Sequence, residues 1–160
     1  MVEVAKPILS DIARIREILN QWTEEEETKK YLQRIKDEIS GKTEFNQNFW
    51  VVKEDGVVLG VTGLSDPLPK VIAFSRTNKP GEGKILYLDK LYRGKGVGRI
   101  LIEFLENEAR RRGYAELLLR SAERYRDTAY GFYEHVGYDK RGTVTSEDPS
   151  KIMQVFGKML

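Results

Sequence analysis

The chain has 160 residues, 40% hydrophobic and 32% charged, which suits one globular domain over residues 1–160 with a buried core and a heavily charged surface. Its 27 basic and 25 acidic residues leave a net charge of +2, not the one-sided field of a general nucleic-acid binder. With no cysteine and one histidine, His135, a disulfide framework is excluded and a Cys/His zinc site all but excluded, so no metal is expected.

The opening residues Met1 to Pro7 lack a basic segment followed by an apolar one, so they do not read as a signal peptide. No apolar run approaches the ~20 residues of a bilayer span. The expectation is a cytoplasmic protein with no membrane and no nucleic-acid partner.

In chain order, Val2 to Lys6 reads as a short strand. Ser10 and Asp11 start a helix carrying Ile12, Ile15, Ile18, Leu19 and Trp22 at helical spacing. Thr23 and Glu26 form a capping-box pattern for a second helix, with Tyr31, Leu32, Ile35 and Ile39 as its buried stripe and Gly41 as its stop. Strands at Phe49 to Lys53 and Val57 to Leu64 flank Asp55-Gly56, a hairpin turn signal. Between Ser65 and Gly83 three prolines interrupt the pattern, and Val71 to Phe74 is readable as an extra strand. Ile85 to Leu91 is the next strand. Val97 to Arg112 is a helix, with Val97, Ile100, Leu101, Phe104, Leu105 and Ala109 inward and Gly113 as its cap. Glu116 to Ser121 is a strand, Asp127 to Val136 a helix stopped by Gly137, and Tyr138 to Val144 and Ile152 to Met159 are the last two strands. This order describes an α/β or α+β domain around a mixed sheet.

The segment Arg93-Gly94-Lys95-Gly96-Val97-Gly98-Arg99 lies between a strand and an amphipathic helix. The first amides of a helix have no intrahelical partners, and the macrodipole makes that end positive. Glycines let a phosphate approach those amides, while Arg93, Lys95 and Arg99 add positive charge, so the segment reads as a diphosphate cradle. Its G-x-G-x-G spacing is not the G-x-G-x-x-G of a dinucleotide fold. Arg99 and Ile100 stand where a nucleotide P-loop needs Lys and Ser/Thr.

From Ile85 to Tyr138 the sequence resembles the GNAT superfamily of N-acetyltransferases, whose signature Arg/Gln-x-x-Gly-x-Gly/Ala here reads Arg93-x-x-Gly96-x-Gly98. Leu86-Tyr87-Leu88 stands as the family's fourth-strand apolar triplet. Ala129-x-x-Phe132-Tyr133-Glu134-x-x-Gly137-Tyr138 matches a second family stretch downstream. The resemblance implies a mixed, mostly antiparallel sheet of about seven strands, splayed between the fourth and fifth and flanked by about four helices. Acetyl-CoA would be the co-substrate. Backbone groups of Leu88 and Asp89 would pair with its pantetheine arm, and the amides from Gly94 through Gly96, Val97 and Gly98 to Arg99 would hold its diphosphate. The acceptor would be the amine of a small molecule or peptide, attacking the thioester directly. Dimerisation is common in the family, and the sequence leaves a homodimer open.

Such a transfer needs a proton donor for the leaving thiolate and a route for the amine proton. Tyr133 occupies the family's tyrosine position and is the candidate acid. Glu82 stands eleven positions before Arg93, where several members place a catalytic glutamate. It reads equally as a polar residue of a Pro80–Gly83 turn, with water chains as the family's other route. Two departures from the family pattern stand out: Arg126 replaces the asparagine usual seven positions before the tyrosine, and Lys90 replaces a proline common after the fourth strand. A non-catalytic acyl-CoA sensor or assembly module is the alternative; it would keep the cradle without needing Tyr133.

Overall fold

The computed structural model describes residues 1–146 and 148–160. Its strands are β1 (Val2–Ala5), β2 (Asn48–Glu54), β3 (Val57–Ser65), β4 (Pro80–Leu88), β5 (Glu116–Ala122), β6 (Asp139–Thr145) and β7 (Ile152–Met159). Its helices are α1 (Ile12–Asn20), α2 (Glu25–Ile39), α3 (Pro69–Ile72), α4 (Val97–Arg111) and α5 (Gly131–His135). The sheet is mixed, in the order β1-β2-β3-β4-β5-β7-β6, with β4 and β5 parallel. The β4–β5 register closes at Gly83↔Leu119, although β4 runs on to Leu88 and β5 to Ala122. The expected sheet is therefore present, with five α-helices rather than about four. The chain divides into two compact units, Met1–Ser65 with Ile85–Leu105 and Asp66–Lys84 with Glu106–Leu160.

In the first unit, Ile15, Ile18 and Leu19 of α1 and Leu32 and Ile35 of α2 bury against Phe49, Val51, Val58, Val61 and Ile85. Val52 and Leu59 point the other way and meet Val97 and Leu101 of α4. A bulge sets the alternation: Val52 pairs with Gly60 and Lys53 with Val58, leaving Leu59 as the extra residue, so Val58 and Val61 face the same layer. Asp55 and Gly56 both have positive φ, 50° and 81°, and close the β2–β3 hairpin as expected.

In the second unit, β5 pairs with β7 and β7 with β6, both antiparallel. Val71, Leu118 and Val155 form one cluster. Tyr130 and Tyr133 pack their rings on Phe156, at centroid distances of 5.1 and 5.3 Å. Glu116, the first residue of β5, is buried and accepts from Ser75 Oγ at 2.6 Å, from the Arg76 amide and from Arg141 at 2.5 Å.

Several local readings change. Thr23 does not cap α2: its hydroxyl is buried and bonds Thr28 Oγ1 at 2.9 Å, and the helix begins two residues later. Val71 to Phe74 is not a strand. Pro69 opens the short helix α3, where its fixed φ and missing N–H suit the first turn, and Val71 is that turn's buried residue. β4 begins at Pro80, so Glu82 is a strand residue instead of a turn residue; Gly81 permits this because a Cβ there would lie 2.7 Å from the Tyr114 ring. β4 also ends three residues early, because Lys90–Tyr92 is a 3-10 turn. On α4, Ile100 is exposed and Ile102 fully buried. The stripe is turned toward Glu106, whose carboxylate is held by Tyr138 Oη and Lys158 Nζ. Asp127 to Val136 is not one helix: a π-helical turn, Arg126–Tyr130, precedes α5.

Candidate active site

The cradle belongs wholly to the first unit. After Leu88, the Asp89 carboxylate accepts from the Leu91 amide at 2.9 Å and starts the 3-10 turn. Arg93 is extended, and Gly94 and Gly96 then take φ of +73° and +81° before α4 opens at Val97. A Cβ on either glycine would meet nothing within 4 Å, so glycine is needed there for the backbone angle, and the space in front is open. Gly98 is buried in the first turn. The first helical bond at this end runs from the Ile100 amide to Gly96 O at 3.2 Å, and the amides of residues 94–99 have no partner among the described residues. Arg93 lies over the Trp22 ring at 5.6 Å and Lys95 over the Tyr92 ring at 5.4 Å, while Arg99 stands 3.9 Å from Glu103. Unpaired amides at a positive helix end, with cations on the same loop, form an anion site suited to a diphosphate.

Leu88 and Asp89 are more committed than their sequence suggests. The Leu88 carbonyl accepts the Trp22 indole N–H at 2.6 Å, which leaves one lone pair for another donor. The Asp89 amide donates to Leu59 O at 2.8 Å. Its buried carboxylate meets Arg14 at 2.5 Å. Burial alone would push that carboxyl up, but the Leu91 amide and the Arg14 guanidinium outweigh it and hold Asp89 below the usual range.

Tyr133 and Glu82 belong to the second unit. Tyr133 is buried among Phe132, Tyr138 and Phe156, and its hydroxyl makes no hydrogen bond to another described residue. Burial pushes its phenol well above the ordinary value, with a smaller push from Tyr125. It therefore stays protonated through neutral and mildly alkaline solution. Glu82 is fully buried, with Oε1 accepting the Leu68 amide at 3.0 Å and facing Lys84 at 3.5 Å, and Oε2 accepting Arg120 at 2.9 Å. Arg126 is exposed and paired with Glu123 at 2.6 Å, and His135 is exposed.

The Acetyltransferase (GNAT) family profile matches residues 12–138. The chain belongs to the GNAT acetyltransferase family. An IAA acetyltransferase of Azospirillum brasilense is 30% identical over 112 residues, 70% of this chain and 67% of that protein. The fold is shared with a GNAT-family acetyltransferase structure from Desulfovibrio desulfuricans, at a TM-score of 0.81, 15% identity and 99% coverage of both chains. It is shared too with the PaiA N-acetyltransferase of Thermoplasma acidophilum, solved with coenzyme A, at a TM-score of 0.69, 16% identity and coverage of 100% of this chain and 99% of that one. The GNAT match includes the cradle and the Tyr133 stretch, and it begins with α1, where the sequence alone offered no motif. Three contacts from α1 and the two residues after it carry no signal in the sequence: Arg14 to Asp89, Gln21 to the Lys90 amide, and Trp22 to Leu88. Their partners lie 66–75 residues away along the chain, and Trp22 read only as part of an apolar stripe.

Proposed function

We propose that this GNAT protein is an N-acetyltransferase that moves the acetyl group of acetyl-CoA to a primary amine by direct attack. The observation that carries the reading is the cradle, with its positive-φ glycines and unpaired amides in front of α4. It would take the diphosphate of coenzyme A, and the free lone pair of the Leu88 carbonyl would accept from the pantetheine arm. The amine nitrogen attacks the thioester carbon, an oxyanion forms, and the C–S bond breaks as the nitrogen loses a proton and the sulfur gains one. Tyr133 is the proton donor to the thiolate; a protonated phenol whose hydroxyl has no hydrogen-bond partner among the described residues supports that role. For the amine proton, Glu82 has no oxygen free of a donor. This supports relay through water, with Glu82 orienting Arg120 and Lys84. The acceptor is a small molecule or peptide, and the oligomeric state is open to a homodimer.

Release of coenzyme A thiol from acetyl-CoA, followed across polyamines, amino acids, aminoglycosides, peptide N-termini and the IAA named for the Azospirillum relative, tests the reading. An amine-dependent release with an N-acetylated product by mass spectrometry is expected. Tight coenzyme A binding with no acceptor-dependent release would favour the sensor module instead.

A further inference from the structure

We propose that Trp22, at the end of α1, is a positioning residue for the phosphates of the donor; the inference rests on acetyl-CoA being that donor. Two features of the indole converge on the segment that leads into the cradle. Its N–H fixes the last carbonyl of β4, Leu88 O, at 2.6 Å. Its ring lies beneath the Lys90 ammonium, 4.8 Å from the centroid, and the Arg93 guanidinium, 5.6 Å away, and stacks with Tyr87 at 6.3 Å. The neighbouring Gln21 takes the Lys90 amide at 2.8 Å, and Arg14 grips Asp89. Arg14 in the first turn of α1 and Gln21 and Trp22 just past its last turn thus hold three consecutive residues, Leu88, Asp89 and Lys90, ahead of the glycine loop.

What the ring does to charge is the central point. Elsewhere in this chain buried or half-buried cations lie against carboxylates: Arg14 on Asp89, Arg120 on Glu82, Arg141 on Glu116. Lys90, Arg93 and Lys95 have no carboxylate partner among the described residues, and each rests on an aromatic face instead. An ion pair neutralises a cation, whereas a ring face orients it and leaves its charge available to an incoming anion. Lys90 and Arg93 are therefore held as uncompensated, pre-oriented cations for a phosphate. The phosphate is either the diphosphate or the 3′-phosphate of coenzyme A.

Calorimetric titration of coenzyme A and of dephospho-coenzyme A, which lacks the 3′-phosphate, separates these sources. The proteins are wild type, Trp22→Leu, Trp22→Phe, Arg93→Gln and the combined Trp22/Arg93 variant, each checked by melting temperature. Trp22→Leu and Arg93→Gln are each expected to weaken coenzyme A binding about tenfold, and the pair by much less than the product of the two, because both remove one arrangement. Trp22→Phe, which keeps a ring, should recover part of the loss; if Trp22→Leu does not fold, the cycle is run with Trp22→Phe. A loss seen equally with dephospho-coenzyme A assigns the cations to the diphosphate, and a loss confined to coenzyme A assigns them to the 3′-phosphate. Wild-type affinity in the folded Trp22 variant, or losses that multiply, would overturn the proposal and leave the proposed function standing. A wild-type protein that binds no coenzyme A would overturn both.

Discussion

Tyr133 owes its state to its neighbours. Phe132, Tyr138 and Phe156 exclude water from its ring, and that burial favours the neutral phenol. Removing the hydroxyl alone, in Tyr133→Phe, should lower kcat a hundredfold or more, on the order of general-acid effects, while coenzyme A affinity stays within about twofold. Because the shift is upward, the acid form persists as pH rises. The wild-type pH–rate profile should show no alkaline fall from this group below the ordinary phenol value of about 10. A second residue matters for stability. Glu116 is the buried one of two carboxylates on Arg141, whose side chain is 3% exposed, so Glu116→Gln leaves that cation only the half-exposed Asp139, 2.8 Å away. A loss of about 1.5–3 kcal/mol in urea unfolding is expected, below the cost of a wholly unpaired buried charge. The sequence showed Tyr133 through its motif, but Glu116 only as the first polar residue of a strand. Ser75, Arg76 and Arg141 reach it from 25 to 41 residues away, a distance no local pattern spans.

At the scale of elements, the cradle is a strand end, a 3-10 turn and a helix start joined by two glycines of positive φ. Gly96→Ala places a Cβ at φ +81° with no neighbour to clash, so the penalty is the backbone's own, about 1–2 kcal/mol. The melting temperature should fall and coenzyme A affinity with it. Gly96→Asn, whose side chain tolerates this region better, should recover part of the stability. This loop was legible because its chemistry is contiguous: strand, glycines, cations and amphipathic helix follow one another. α3 and the first half of β4 were not. Proline and glycine between Ser65 and Gly83 read as interruptions, while the parallel register Pro80↔Glu116 to Gly83↔Leu119 turns part of that stretch into strand. Thr23 misled for a related reason, since a capping pattern is local and its hydroxyl found a better partner in Thr28.

At the scale of the whole molecule, each compact unit holds a buried carboxylate whose pKa is depressed, Asp89 in the first and Glu116 in the second. In Glu116 burial pushes upward, but Ser75 and Arg141 prevail. A depressed folded pKa means that the unfolded chain binds the proton more readily. The stabilisation is complete above the unfolded values of about 4 and is lost as pH falls through the lower folded ones. Urea midpoints should therefore be flat near neutrality and drop below about pH 4, and Asp89→Asn or Glu116→Gln should lower the neutral plateau and flatten that drop. The sequence by itself determined the order of strands and helices apart from α3, the hairpin at Asp55-Gly56, the glycine cradle and the tyrosine stretch, because each depends on residues close together in the chain. Only the tertiary structure decided that Glu82 is ion-paired on both oxygens, that Arg14 holds Asp89 and Trp22 holds Leu88, and that the Trp22 ring lies against Lys90 and Arg93. Those arrangements depend on long-range pairing and on desolvation, which strip water from a charge and so require a partner, and a linear pattern does not say which partner folding will bring.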